Sequence, residues 1–124
     1  MNAHASSTRL GDALESAALK LALGEEKAYS IPVSSIKGAT GHCLGAAGAV
    51  EAAITVLSVR NDVVPPTIDY EQPDPDCDLD YVPNCPRLQP VHVALRNSVG
   101  FGGHNAVLAF REHGDATAQA DGPV

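Results

Sequence analysis

Val33-Ser34-Ser35-Ile36-Lys37-Gly38-Ala39-Thr40-Gly41-His42-Cys43-Leu44-Gly45-Ala46-Ala47-Gly48 is the stretch on which the reading of this chain turns. A short, partly β-branched run, Tyr29 to Ser34, predicts a strand before it. Gly38 to Gly41 reads as a loop, and the spacing predicts the longest helix from His42 to about Asn61. One face of that helix carries Val50, Ala53, Ile54 and Leu57; another carries Glu51, Thr55, Ser58 and Asp62. Periodicity alone allows two readings. The polar stripe is solvated on a surface helix, or the small residues from Gly45 to Ala49 let neighbours close in and bury it. In the second case Glu51 needs a cation, because an unpaired buried carboxylate is costly, and Lys37 is the nearest in sequence.

Working outward, Leu14, Ala17, Ala18, Leu21 and Ala22 recur at helical spacing within a predicted amphipathic helix, Asp12 to Leu23, closed by Gly24. Ahead of it lies Asn2-Ala3-His4-Ala5-Ser6-Ser7-Thr8, a polar loop whose hydroxyls suit either substrate contacts or helix capping. Downstream, Pro65-Pro66 opens a proline-punctuated extended stretch reaching Pro90. Val91 to Leu95 and Ala106 to Phe110 read as strands of a hairpin turned by Gly100-Phe101-Gly102-Gly103. From about His113 the chain turns small and aperiodic, and 113–124 is expected to be a disordered tail behind a domain spanning 1–112. The sum is an α/β unit.

The chain has 124 residues, 44% of them hydrophobic and 19% charged, which suits one globular unit rather than a charge-driven disordered chain. With three Tyr, two Phe and no Trp, its core must come mainly from Ala, Val, Leu and Ile. Eight basic against fifteen acidic residues leave a net charge of −7, a field that repels a phosphate backbone, so no nucleic acid is expected as partner. The most apolar stretch, Ala46 to Val59, is interrupted by Glu51 and is too short to span a membrane. No secretory leader is read at the start. Three cysteines without a C-x-x-C pattern suit a reducing cytoplasm, so a cytoplasmic location is expected.

Several residue sets invite chemistry. His42, read at a helix start, sits beside the positive end of a dipole that disfavours imidazolium, and a neutral ring there can donate to an oxygen gaining charge. The plainer reading is a histidine bonding the backbone, and His4 poses the same choice. Cys43 reads as a small buried residue rather than a nucleophile. Asp74, Asp76, Asp78 and Asp80 alternate like calcium ligands. Leu79 and Cys85 occupy the positions where such a loop needs Gly and Glu, so a solvated acidic loop is expected and no metal. Scattered His and Cys lack zinc spacing.

Taken in order, these motifs resemble the C-terminal part of a β-ketoacyl-acyl-carrier-protein synthase of the second type, a condensing enzyme with a thiolase-like fold. Asn2 to Thr8 is similar to that family's first histidine motif, and Val33 to Gly48 to its lysine and second-histidine motif. Pro65-Pro66-Thr67-Ile68, Pro73-Asp74-Pro75, Cys77 to Pro83 and Asn97 to Asn105 continue the match over about residues 2–111. The resemblance implies the C-terminal half of a thiolase-like fold, incomplete: layered α/β with a central, largely buried helix. It implies an acyltransferase that condenses malonyl-carrier protein, with loss of carbon dioxide, onto an acyl thioester in fatty-acid biosynthesis. His4 and His42 would donate to the malonyl thioester oxygen as it becomes an enolate. Lys37 would pair with Glu51, and the Phe101 N–H would serve the acyl oxyanion hole while its ring gates the acyl pocket. Ser6 and Thr8 would contact the phosphopantetheine arm, with Phe101 and Gly102 also at the substrate. No cofactor is implied beyond substrates carried on phosphopantetheine.

The chain departs from the family pattern in three places. Ala5 and Ser6 stand where Gly and Thr are usual, and Val99 replaces a Phe beside the gate. The nucleophilic cysteine is absent: Cys43, Cys77 and Cys85 lie outside its motif. The expectation is therefore a fragment, with the remaining N-terminal half of the synthase and an acyl carrier protein as partners and a homodimer only for the complete enzyme. Carrier proteins are acidic, so the net charge of −7 places the docking residues elsewhere. Alone, the chain is expected to be inactive in condensation. A polyketide ketosynthase subunit, a decarboxylase-only relative and a non-catalytic piece that binds carrier protein are the alternatives.

Overall fold

Thr8 starts the first helix. It is extended (φ −107°, ψ 134°), and its Oγ1 accepts the Gly11 N–H at 3.2 Å, the geometry of an N-cap. In the computed structural model, which describes residues 1–114, that cap opens α1, Arg9–Leu23. Gly24, with φ 80°, ends α1 but does not end helical structure, for α2 follows at once over Glu25–Ser30. The strand expected from Tyr29 to Ser34 is thus displaced. Glu25 and Glu26 suit the positive end of a helix, and Pro32 forces only Ile31 into the extended region (φ −110°).

What remains extended is Val33–Ser34, held by one parallel bridge from Ser34 to Asn2. Asn2 also bridges Arg96 on its other side, so the first residues lie between the lysine motif and the hairpin. Ala3 N–H donates to Ser34 O at 2.8 Å, and Asn97 N–H donates to Asn2 O at 2.9 Å.

The expected loop at Gly38–Gly41 contains a single helical turn, α3, Lys37–Thr40, with Gly41 N–H returning to Lys37 O at 2.8 Å. Gly38 has no room for a side chain there. A Cβ would sit 2.8 Å from Ile68 Cγ1 and 3.2 Å from the Ile68 carbonyl oxygen. A 3₁₀ turn, Leu44–Ala46, leads into α4, Ala47–Asn61. The long helix therefore begins later than the spacing predicts, and His42 precedes it.

After α4 the chain pairs β1, Val63–Val64, antiparallel with β2, Arg87–Leu88. Between them Thr67 bridges Pro83, and the Asn84 side chain both accepts the Tyr70 N–H (3.0 Å) and donates to the Tyr70 carbonyl (2.8 Å). The hairpin is present and longer than expected: β3, Val93–Gly100, pairs antiparallel with β4, His104–Arg111. Gly102 makes its turn with φ 77°, a conformation that favours glycine. The tail expected over 113–124 falls outside the described residues from 115 onward.

The core cluster joins Ala3, Leu19, Ala28, Val33 and Leu79, with Met1, Leu23, Ile31 and Tyr81 packed against it. Both long helices turn their patterned apolar faces outward. In α1 the buried positions are Ser16 and Leu19, while Leu14 and Leu21 are exposed. In α4 the buried positions are Ala47, Glu51 and Thr55, while Val56 and Leu57 are exposed. Of the α4 polar stripe, Glu51 and Thr55 are buried, Ser58 is half-buried and Asp62 is exposed; Gly45, Ala46 and Ala49 are exposed, so small residues are not what closes over it.

This inversion gives a direct stability test. Leu19→Ala should lower stability by about 2–5 kcal/mol, the range for emptying a buried leucine site. Leu21→Ala should change it by no more than ~0.5 kcal/mol. Urea midpoints of the two variants check the contrast, and equal losses would contradict the assignment of the buried face.

Candidate functional site

Four elements converge on His4. Its backbone N–H and that of Ala5 each donate to Glu15 of α1, at 2.8 Å to Oε1 and 2.8 Å to Oε2. The same carboxylate accepts from Asn97 Nδ2 of β3 at 2.7 Å. Ser35 Oγ donates to the Ala5 carbonyl at 3.2 Å. Ala5 has φ 22° and Ser7 φ 62°, so the loop carries backbone strain that these contacts hold in place.

From the other side, Lys37 Nζ donates to the His4 carbonyl at 2.5 Å and pairs with Glu51 Oε1 at 2.5 Å. The partner the sequence suggested for Glu51 is therefore the one it has. The structure adds a second: Arg96 of β3 contacts Glu51 Oε2. All three are buried, with Glu51 at 2%, Arg96 at 3% and Lys37 at 8% exposure. Asn2 Nδ2 ties the loop to the same helix, donating to Glu51 O at 3.2 Å and Thr55 Oγ1 at 3.0 Å.

His42 meets His4 across this frame. The ring centroids lie 5.6 Å apart, with planes at 80°. Leu44 N–H donates to His42 Nδ1 at 3.1 Å, which fixes Nδ1 as the acceptor and leaves Nε2 to carry the proton of the neutral ring. Burial, and next the Lys37 charge, hold His4 below its ordinary value of 6.5, which favours its neutral form near pH 7. Two imidazoles side by side, each with a ring N–H to offer, can donate to one oxygen that gains negative charge.

Beside them opens a cavity of about 680 Å³, lined by Ser6, Thr8, Asp12, Lys37, His42 and Tyr81 among others. Burial raises the Asp12 carboxyl there. Ser6 and Thr8 line it, although Thr8 also serves as the α1 cap. Phe101 and Gly102 do not: both sit in the exposed hairpin turn, with Phe101 97% exposed. Cys43, expected buried, is exposed and hydrogen-bonds the Thr40 carbonyl at 3.6 Å. The acidic run is not simply solvated, since Asp78 pairs with Lys20 and Asp80 with Arg87.

Sequence reasoning missed Glu15, Asn97, Asn2 and Arg96 as parts of this frame. Only Arg96 left a readable signal: period-2 alternation puts it on one strand face with Ala94, a charge inside an otherwise apolar run.

Comparison with known proteins identifies the family of this chain. The family described as "Beta-ketoacyl synthase, C-terminal domain" matches residues 1–71. The chain belongs to that family. It is 55% identical over 113 residues to 3-oxoacyl-[acyl-carrier-protein] synthase 2 of Synechocystis sp., covering 91% of this chain and 27% of that protein. It is 53% identical over 111 residues to the tetracenomycin polyketide synthase ketoacyl synthase alpha subunit of Streptomyces glaucescens, covering 88% and 26%.

Among solved structures it superposes, with TM-score 0.85 and 47% identity, on a type II polyketide acyl-carrier protein in complex with its ketosynthase bound to the hexaketide, covering 89% of this chain and 27% of that one. A β-ketoacyl synthase from Burkholderia phymatum follows with TM-score 0.82 and 38% identity, covering 90% and 27%. This ketoacyl synthase chain thus spans about a quarter of the length of the relatives it matches. Its α/β fold is that of the C-terminal part of a thiolase-like ketosynthase. Among the described residues, no helix is long and apolar enough to cross a membrane.

Two measurements test the frame. Glu15→Leu should raise hydrogen exchange at the His4 and Ala5 amides by about tenfold or more, because two part-buried donors lose their acceptor. Unchanged exchange would show that the clamp is not formed. The depressed His4 titration makes folding proton-linked: its contribution is full above about pH 6.5 and is lost as the pH falls through its lower folded value. The urea midpoint should therefore fall more steeply below that pH in the native chain than in His4→Gln.

Proposed function

We propose that this chain supplies the two-histidine half of a decarboxylating 3-oxoacyl-[acyl-carrier-protein] synthase centre. One observation carries the reading: the His4 and His42 rings meet at 5.6 Å beside the cavity, with the His4 loop gripped by Lys37. The oxygen of a malonyl thioester placed between them gains charge as carbon dioxide leaves, and two preorganised donors stabilise the enolate. Each such donor is worth about 2.7–4 kcal/mol in comparable oxyanion sites. The enolate then attacks an acyl thioester on a cysteine that the remainder of the synthase contributes.

Ser6 and Thr8, on the cavity wall, contact the phosphopantetheine arm of the carrier protein. Phe101 supplies its N–H and its ring at the acyl side, and Gly102 lets the substrate approach; both act once the remainder of the synthase packs on the hairpin. The uncovered apolar side chains Val56, Leu57, Val107 and Leu108 are the surface that this remainder covers. The acyl carrier protein docks on it rather than on this acidic segment. No cofactor enters the reaction. A fatty-acid role follows the Synechocystis relative; a polyketide role is the second reading, favoured by the Streptomyces glaucescens subunit at 53% identity.

The test is a chimera in which residues 2–111 of this chain replace the matching segment of the Synechocystis synthase. It should form 3-oxoacyl product from acyl- and malonyl-carrier protein, whereas the 124-residue chain alone should form none. His4→Ala or His42→Ala should each lower kcat by about 10²–10³. An active chimera indifferent to both substitutions would overturn the reading.

A further inference from the structure

Glu51 needs only one cation to be neutral, and it has two. Its Oε1 takes Lys37 and its Oε2 takes Arg96, so two cations face one carboxylate inside the fold. The second cation is an expensive choice. Arg96 is 3% exposed, and its Nε–H finds no partner among the described residues, so desolvation is not fully offset by bonding. Its neighbour across the backbone bridge, Asn2, likewise leaves Oδ1 buried and unpartnered among them. Stability alone does not account for a guanidinium there.

The placement has a consequence for Lys37. An ammonium has three N–H groups, and here one goes to Glu51 Oε1 and another to the His4 carbonyl. Were Glu51 to hold both oxygens on Lys37, the ammonium would be drawn toward α4 and away from the histidine loop. Arg96, anchored in β3 opposite Leu108, prevents this by claiming Oε2.

We propose that Arg96 is a positioning residue of this site: by holding Oε2 of Glu51 it reserves Oε1 for Lys37 and leaves the buried triad with one positive charge in excess beside the His4 loop. That excess favours an anion formed between His4 and His42. The inference deepens the function proposed above, and its test does not depend on turnover.

His4 is the reporter. The charged groups nearest to it are Lys37 and His42, which lower its titration, and Glu15 and Glu51, which raise it; Arg96 adds its charge from behind Glu51. NMR titration of the histidine-labelled 124-residue chain reads the effect through the charge of the triad. Arg96→Met makes the triad neutral and should move His4 up by about 0.5 pH unit or more. Glu51→Gln raises the triad charge and should move it down. The double variant Arg96→Met/Glu51→Gln restores one excess charge and should return His4 close to the native value, and Arg96→Lys should leave it within ~0.2 unit.

If Arg96→Met does not fold, the step between Glu51→Gln and the double variant reports the same charge and decides the matter. Coincident His4 titrations in that pair, or an unmoved His4 in folded Arg96→Met, would overturn the proposal. Loss of product in the chimera with this titration order intact would instead count against the proposed reaction alone.

Discussion

A carboxylate buried to 2% exposure dictates the arrangement around it. Glu51 must have cations, and the two it takes come from separate parts of the chain, Lys37 and Arg96. Through Lys37 the constraint reaches the His4 carbonyl, and through Arg96 it reaches the hairpin. Asn2 closes the ring by donating to the Glu51 carbonyl while its backbone bridges Ser34 and Arg96. Removing one partner of such a cluster strands a charge in low dielectric, which is why the frame holds as a unit.

The same constraint explains an inverted helix. By hydropathy α4 should bury Val50, Ile54 and Leu57; it buries Ala47, Glu51 and Thr55 instead and leaves Leu57 half exposed. From the inward face Glu51 reaches the guanidinium of Arg96 on β3. The outward apolar face has no counterpart among the described residues, and the chain covers about a quarter of the relatives it matches.

Much of this was legible in the residues. The hairpin followed from β-branched runs around a glycine-rich turn, and α1 from its spacing. Lys37 was the nearest upstream cation for a buried Glu51, but periodicity left that burial open and the family resemblance favoured the pair. The pairing of His4 with His42 was not readable from spacing, since nothing local ties residues so far apart; the family resemblance supplied it. What failed did so for identifiable reasons. Periodicity at Tyr29 to Ser34 could not foresee that two glutamates restart a helix after Gly24. It also could not place His42 ahead of the 3₁₀ turn at Leu44–Ala46, where Nδ1 takes a backbone N–H. Glu15 looked like any exposed helix acid, and only the fold shows it holding two amides of the histidine loop.

Contact between two side rings remote in sequence is the claim from which the chemistry follows. The most direct measurement is a nuclear Overhauser spectrum of the histidine-labelled chain. With ring centroids 5.6 Å apart and planes at 80°, ring protons of His4 and His42 should show a cross-peak. A folded chain with both rings assigned and no such cross-peak would contradict the account.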